Sequence, residues 1–469
     1  MYKKIILISS FICLCISFQS IAQSVKTNLD VTLMPCDYLN TWGCSAPHIA
    51  KVTQEFVLEK HTKDTLFLKL DKYHWAQSFL YPFLYVGLTV DIIVENEKQS
   101  VDKNFNGFTL PVPLPSSSCT VTLNYFYSPG YCSDSHGGFY LWPCMPSWHS
   151  WYFSYPDMQF NKVEFQNVAD SLLYFFVEFP FFKQNEKIIL NTKNIDRDMN
   201  FFLIQKPFYH KTSFIQNTDT INLHLNKGEI LIPNPEGSIS NNTVLLGNRA
   251  TQALVDSCQN FITQALRKIN AIFPSLQGAT IDVFDGDLSI MNKFTWGRAV
   301  SDRENNHHLV LIDTLCWHNH TLIHELIHLY NHVPLPENDS TVYFFRESIT
   351  EYLAICFRYA DKHDRDLRFN QKIINFAKEP NEDYCIFKLS SNSWDGNTVR
   401  GSSLVVYDKT PFIIHTFAQA VGEDKFHAAL KDFYAKVAKG MAINLPNFKE
   451  TLKENGITDS QWGWFISNL

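Results

Sequence analysis

A multidomain chain, with an N-terminal antiparallel β domain followed by an α+β domain, is what the sequence predicts. Three observations predict it. The chain has 469 residues, too many for one ordinary core when a domain takes roughly 150. Short apolar runs with a period of two fill the stretch from about Ser24 to Pro235. Beyond the Pro-, Gly-, Ser- and Asn-rich segment IPNPEGSISNNT at 232–243 the period becomes helical. The expected layout is a leader over 1–23, a β domain over 24–237 and a second domain over 238–469.

The leader reads MYKKIILISSFICLCISFQSIAQS. Lys3 and Lys4 precede an apolar run from Ile5 to Phe18, and small residues flank a cut after Ala22 or Gln23. That order is the pattern of a secretory signal peptide, and the run is short for a bilayer span. Ile and Leu precede Cys13 and Cys15, where a bacterial lipobox would need a small residue, so no lipid anchor is expected. The expected location is periplasmic or extracellular. No membrane span is expected in the mature form, because SFLYPFLYVGLTVDIIV at 78–94 is broken by Pro82, Gly87 and Asp91.

In the first half, HTKDTLFLKL, VGLTVDIIVE, CTVTLNYFYSPG, NKVEFQNVAD, SLLYFFVEFPF and TINLHLNKGEILI alternate apolar and polar residues between turn formers. Such runs are strands. In the second half, LVDSCQNFITQALRKINAIF has helical spacing, IDVFDG and HHLVLID read as strands, and helices follow to the end. At 45% hydrophobic and 19% charged residues, with 38 Phe, 20 Tyr and 10 Trp, the composition excludes disorder over most of the length. The net charge is −7, or −9 once Lys3 and Lys4 leave, and no basic patch with interleaved aromatics occurs. Nucleic acid is therefore excluded as a partner. Export permits disulfides; Cys36 with Cys44 and Cys132 with Cys144 are proximity pairings only.

The chemistry centres on HELIH, 324 to 328. Residues four apart share a helix face, so His324 and His328 can aim at one ion while Glu325 projects beside them. Zinc needs a third protein ligand if a position is to stay open. Pro334 and Pro336 end this helix, and Asp339 or Ser340 caps the next, TVYFFRESITEYLAICFRY. Glu347, with 18 residues between it and His328, supplies the third ligand, with Glu351 one turn further along.

The pattern H-E-x-x-H, 18 residues, then E, followed by RESITEYLA, resembles the gluzincin zinc metallopeptidases of the aminopeptidase N family. VVYDKTPFIIHTFAQAVGEDKFHAALKDFYAK looks like the family's Y-x-K-G segment and its following helix, and the final ITDSQWGWFISNL like the close of its catalytic domain. LNYFYSPG and WHSWYFSYPDMQFNKVEFQ are similar to stretches of its saddle-like β-sandwich. The resemblance is strong over 309–434 and weak before 240. It implies a thermolysin-like catalytic domain, one zinc ion per chain on His324, His328 and Glu347, peptide substrates, and Tyr407 as a catalytic hydrogen-bond donor. Glu325 would take a proton from the zinc-activated water and pass it to the leaving amine.

Two departures bear on the activity. The family's G-x-M-E-N motif, which grips a substrate's amino terminus, has no counterpart in KFTWGRAVSDRENNHHLVLID, where Arg298 would repel an ammonium. The family's C-terminal helical domain is also missing, which implies a more open cleft. An aminopeptidase-like activity is the expectation, an endopeptidase or atypical exopeptidase the alternative, and a catalytically idle zinc-containing peptide binder the alternative of another class. Tyr407 can also be read as a packing residue before a helix cap at Thr410-Pro411. Glu351 is either the partner of a ligand histidine's far nitrogen or a solvated helix charge, and Arg346 a structural ion-pair partner. His318, His320 and His332 read as surface or helix-end residues, His415 as a satisfied core histidine, and His307 and His308 as non-catalytic strand residues. The aromatic cluster WPCMPSWHSWYF, 142 to 153, reads as cleft wall or core.

Overall fold

The computed structural model describes residues 25–35, 48–59, 64–69, 90–99, 109–115, 118–127, 140–142, 153–155, 158–166, 173–177, 181–184, 187–190, 192, 201–205, 209–226, 230–232, 244–246, 251–286, 297–302, 305–313, 319–331, 339–378, 385–389 and 403–469. The leader, Cys36, Cys44, Cys132 and Cys144, His318, His332 and most of the 142–153 cluster lie outside the described residues.

The chain divides into two compact units, with the break at Ile204–Gln205. The first is the expected β unit. Its main sheet has eight strands, and the central three, Val25–Pro35, His48–Leu58 and Cys119–Tyr127, are antiparallel neighbours. The period of two is visible in burial, since Leu29, Val31, Val52, Phe56, Val121 and Leu123 are all fully buried while intervening residues face out. Polar residues enter this core too, among them Gln54, which donates to the Phe153 carbonyl at 2.7 Å and accepts from the Phe153 amide at 2.9 Å. Its hydrogen-bonding capacity is met within the fold, as burial demands.

One pairing of this sheet departs from the antiparallel expectation. Val25–Pro35 pairs in parallel with Met158–Gln166, with a register shift between Thr27 and Asn28, so the sheet is mixed. Parallel partners are joined by long crossovers, and alternation within one strand carries no information about its neighbour's direction.

The second unit contains a five-stranded sheet and most of the helices. Its strands are β1 (Tyr209–Gln216), β2 (Asp219–Asn226), β3 (Thr280–Gly286), β4 (Gly297–Asp302) and β5 (His307–Asp313), in the order β1-β2-β3-β5-β4. The β1–β2 hairpin lies within 24–237, yet it belongs to this sheet. β2 pairs in parallel with β3, and Asp282 of β3 bridges Nε2 of His224 on β2 and Nε2 of His307 on β5, each at 2.5 Å. The boundary therefore falls earlier than the Pro-rich segment suggests, because strand pairing outweighs local composition.

The helices are α1 (Gln252–Ile272), α2 (His320–Tyr330), α3 (Ile349–Arg358), α4 (Lys362–Ala377), α5 (Thr410–Val421), α6 (Glu423–Val437), α7 (Leu445–Glu454) and α8 (Asp459–Asn468). Two of them are entered through wide π turns. Phe344–Ser348 runs into α3, with the Ile349 amide donating to the Phe344 carbonyl. Val405–Lys409 runs into α5, with the Thr410 amide donating to the Val405 carbonyl. Such single turns are uncommon and concentrate at functional sites. No helix among the described residues is long and apolar enough to cross a membrane.

Candidate metal centre

The HELIH segment lies on α2, and the helix is held at both ends. Asn319 caps its start by accepting from the Thr321 amide at 2.7 Å. At its end Asn331 donates to the Phe345 carbonyl at 2.8 Å and to Thr350 Oγ1 at 2.9 Å, tying α2 to the segment that carries Glu347. Leu322, Leu326 and Leu329 are fully buried, so apolar packing fixes the helix while the histidines emerge on one face.

On that face His324 Nε2 lies 3.0 Å from His328 Nε2, and these nitrogens lie 3.4 and 3.3 Å from Glu347 Oε2. Tetrahedral ligands at 2.0–2.1 Å from zinc are separated by about 3.3 Å. The three atoms thus form a triangle that fits such an ion with a fourth position open. The charges fit as well. Burial alone would lower the His324 pKa, but hydrogen bonds with Glu347 and Glu351 outweigh it and push it up to about 10. Burial works against the Glu347 anion too, yet His328 and His324 hold its carboxyl well below the usual range. A pocket that stabilises positive charge on an imidazole stabilises a cation in its place.

The other side chains surround this triangle. Glu351 stands behind the His324 ring: its Oε2 accepts from His324 Nδ1 at 2.8 Å, the contact that would orient the ring if it held a metal. The solvated reading is excluded, since Glu351 is only 5% exposed. His320, read as a helix-end residue, is the first residue of α2 and lies 3.2 Å from Glu351 Oε1, so it belongs to the network. Tyr407 Oη donates to Glu347 Oε2 at 3.0 Å. The alternative placing Tyr407 before a helix cap needs correction, because it sits inside a π turn and Thr410 already has helical backbone. Burial first, then Glu347, pushes its pKa well above the usual tyrosine value, so it stays a donor.

Glu325 is 8% exposed, and burial raises its pKa above the ordinary carboxylate value. Gly297 at the start of β4 is the reason it fits: a Cβ there would meet Glu325 Cγ at 2.5 Å. Arg298, the next residue, acts electrostatically on Glu325 and partly offsets the rise. His415 is buried as expected, with Nε2 2.8 Å from Asp366 Oδ1.

Sequence reasoning missed Lys372. Its ammonium lies 2.7 Å from Glu351 Oε1 and donates to the Tyr407 carbonyl at 2.8 Å, joining the two arms of the centre. A signal existed, since Phe369, Lys372 and Phe376 share one face of α4. A lysine on an otherwise apolar stripe needs a buried partner.

No family model matches the chain, and no curated protein matches it significantly. Among solved structures it is similar to the M1 zinc metallopeptidase from Deinococcus radiodurans, at 11% identity over 94% of this chain and 92% of that one, with a TM-score of 0.44. It is similar to Legionella pneumophila aminopeptidase A at 11% identity over 95% of this chain and 50% of that one, with a TM-score of 0.48. An aminopeptidase N family protein from Idiomarina loihiensis matches at 12% identity over 91% and 75% of the two chains, with a TM-score of 0.47.

Proposed function

We propose that this chain is an exported zinc-dependent metallopeptidase with aminopeptidase-like chemistry. The observation that carries the reading is the triangle of His324 Nε2, His328 Nε2 and Glu347 Oε2, with sides of 3.0, 3.4 and 3.3 Å, beside a buried carboxyl and a half-buried hydroxyl that holding a metal does not require. The leader at 1–23 supports export to the periplasm or beyond, and a peptide is the substrate.

Zinc, when bound by these residues, lowers the pKa of a coordinated water and polarises a carbonyl. Glu325 receives a proton from the attacking water at its carboxylate and delivers it to the leaving amine. Its raised pKa brings proton acceptance and donation closer in cost. Tyr407, kept protonated by burial, turns its hydroxyl from Glu347 toward the oxygen on which negative charge develops. β4 ends the order of the five-stranded sheet, and its first residue touches Glu325. An extended peptide laid along this edge would pass its backbone beside the base.

Arg298 supports a second reading within the same chemistry. A guanidinium beside Glu325 disfavours a free ammonium there, which suits an endopeptidase or an atypical exopeptidase. Cleavage of a mixed peptide set, read by mass spectrometry beside zinc content, tests both. Wild type is expected to hold one zinc in this centre and cleave. Glu325→Gln is expected to keep it while its rate falls about 10²- to 10⁴-fold. Single residues trimmed from the amino end support the aminopeptidase mode, and internal cuts the endopeptidase mode. Zinc without cleavage, or equal products from both proteins, would sink the peptidase reading in favour of a peptide-binding scaffold.

A further inference from the structure

A second constellation of ligating side chains lies between α3 and α6. Cys356 stands near the end of α3, and Glu423 and His427 stand one turn apart at the start of α6. The thiol sulfur, a carboxylate oxygen and a ring nitrogen all lie within 4.8 Å of one another. Spacing of four residues builds both walls: Tyr352 and Cys356 share one face of α3, as Glu423 and His427 share one face of α6. The Tyr352 hydroxyl lies 3.0 Å from His427 Nε2 and is hydrogen-bonded with the Cys356 side chain, which sets the ring and the thiol side by side. Arg365 donates to Glu423 Oε2 at 2.9 Å; a carboxylate can hold a guanidinium on one oxygen and an ion on the other.

We propose that Cys356, Glu423 and His427 form a second metal site, for one thiophilic ion such as Zn2+. The donor set selects the ion: thiolate and imidazole suit zinc and its relatives, whereas magnesium and calcium require oxygen. Sulfur and nitrogen ligands of one tetrahedral zinc lie about 3.5 Å apart, so the three groups need draw in by about an ångström, within the reach of side-chain rotation. On binding, the Cys356 S–H bond breaks, a sulfur–metal bond forms and the proton leaves to solvent; no electron is transferred. Burial pushes the Cys356 thiol up to about 12, with Arg365 and Lys268 working the other way, so the ion must displace a proton to enter. Burial also holds His427 below its ordinary pKa, which keeps the imidazole in its ligating neutral form. A bound ion would clamp α6 to α3, the helix that carries Glu351. The site does not rest on the peptidase reading.

Co2+ added to the metal-stripped full-length protein tests the proposal, because the centre on α2 offers no sulfur. Wild type is expected to take up a second equivalent of cobalt with a sulfur-to-metal charge-transfer band in the near ultraviolet. Cys356→Ser is expected to lose the band and that equivalent while keeping the weak visible bands of the other centre; His324→Ala is expected to do the reverse. A band that survives Cys356→Ser, or no second equivalent, would overturn the site. Should Cys356→Ser fail to fold, alkylation of the wild type decides. Zinc at ten times its dissociation constant should slow modification of Cys356 about tenfold, and an unchanged rate overturns the proposal.

Discussion

Replacing Glu351 by Gln removes one charge and turns one of two acceptor oxygens into a donor, almost without changing the side chain's size. Oε2 accepts from His324 Nδ1 at 2.8 Å, while Oε1 faces Lys372 Nζ at 2.7 Å and His320 Nε2 at 3.2 Å. An amide has one oxygen and one NH2, so whichever way it turns a donor meets a donor, either at His324 or at Lys372. Loss of the acceptor behind a ligand histidine typically weakens metal binding about 10- to 100-fold. Leaving Lys372, 7% exposed, without its closest anion costs about 3–5 kcal/mol, and its contacts with the Tyr407 carbonyl and Asp408 favour the low end. About 3 kcal/mol in a unit of this size corresponds to a Tm lower by roughly 6–12 °C. Zinc affinity by chelator competition and Tm by calorimetry measure the two effects separately. A variant with wild-type zinc affinity and wild-type Tm would refute the idea that Glu351 orients His324.

Gly297→Ala places a Cβ 2.5 Å from Glu325 Cγ, and since a backbone-anchored methyl cannot yield, Glu325 must. A displacement of about an ångström costs on the order of 100-fold in rate, so kcat/KM should fall while zinc content stays at the wild-type level; unchanged kinetics would contradict this packing. Burial holds His224 below its ordinary pKa, so the unfolded chain takes up its proton first, and this part of the stability, present above about pH 6.5, is lost as pH falls. His224→Gln, which keeps a donor for Asp282 but cannot titrate, should flatten the dependence of Tm on pH between about 7 and 5, and parallel profiles for the two proteins would exclude this role.

The residues that sequence reading reached are those whose relations are local or fixed by helical spacing. His324, Glu325 and His328 follow from one turn of helix. Glu347 was reached because a second helix could be delimited by its cap, and the structure brings it to the histidines. Tyr407 was reached only through resemblance, and the structure places it against Glu347. The apolar face of α4 hints that Lys372 is buried, but its partner, like that of His320, is out of reach, because both depend on how α4 and α2 approach Glu351, which no local pattern encodes. The same holds in the β unit. Strands could be located from alternation, but the parallel pairing of Val25–Pro35 with Met158–Gln166 joins segments more than a hundred residues apart. The hairpin at 209–226 lies on the other side of the break from where local composition suggests, because its pairing with β3 lies across α1.

Both Glu347 and Tyr407 stand in π turns, and Ser348 Oγ donates to the Val406 carbonyl at 2.8 Å, stapling one wide turn to the other. Each such turn holds one residue more than an α-helical turn. Deleting a single residue from either would restore ordinary winding and rotate the N-terminal side of the turn by about 100° relative to the C-terminal side. The carboxylate or the hydroxyl would then point elsewhere, although no functional side chain had been altered. In these two short segments the number of residues is as much a part of the chemistry as their kind, and a one-codon deletion would silence the centre as completely as the loss of a ligand.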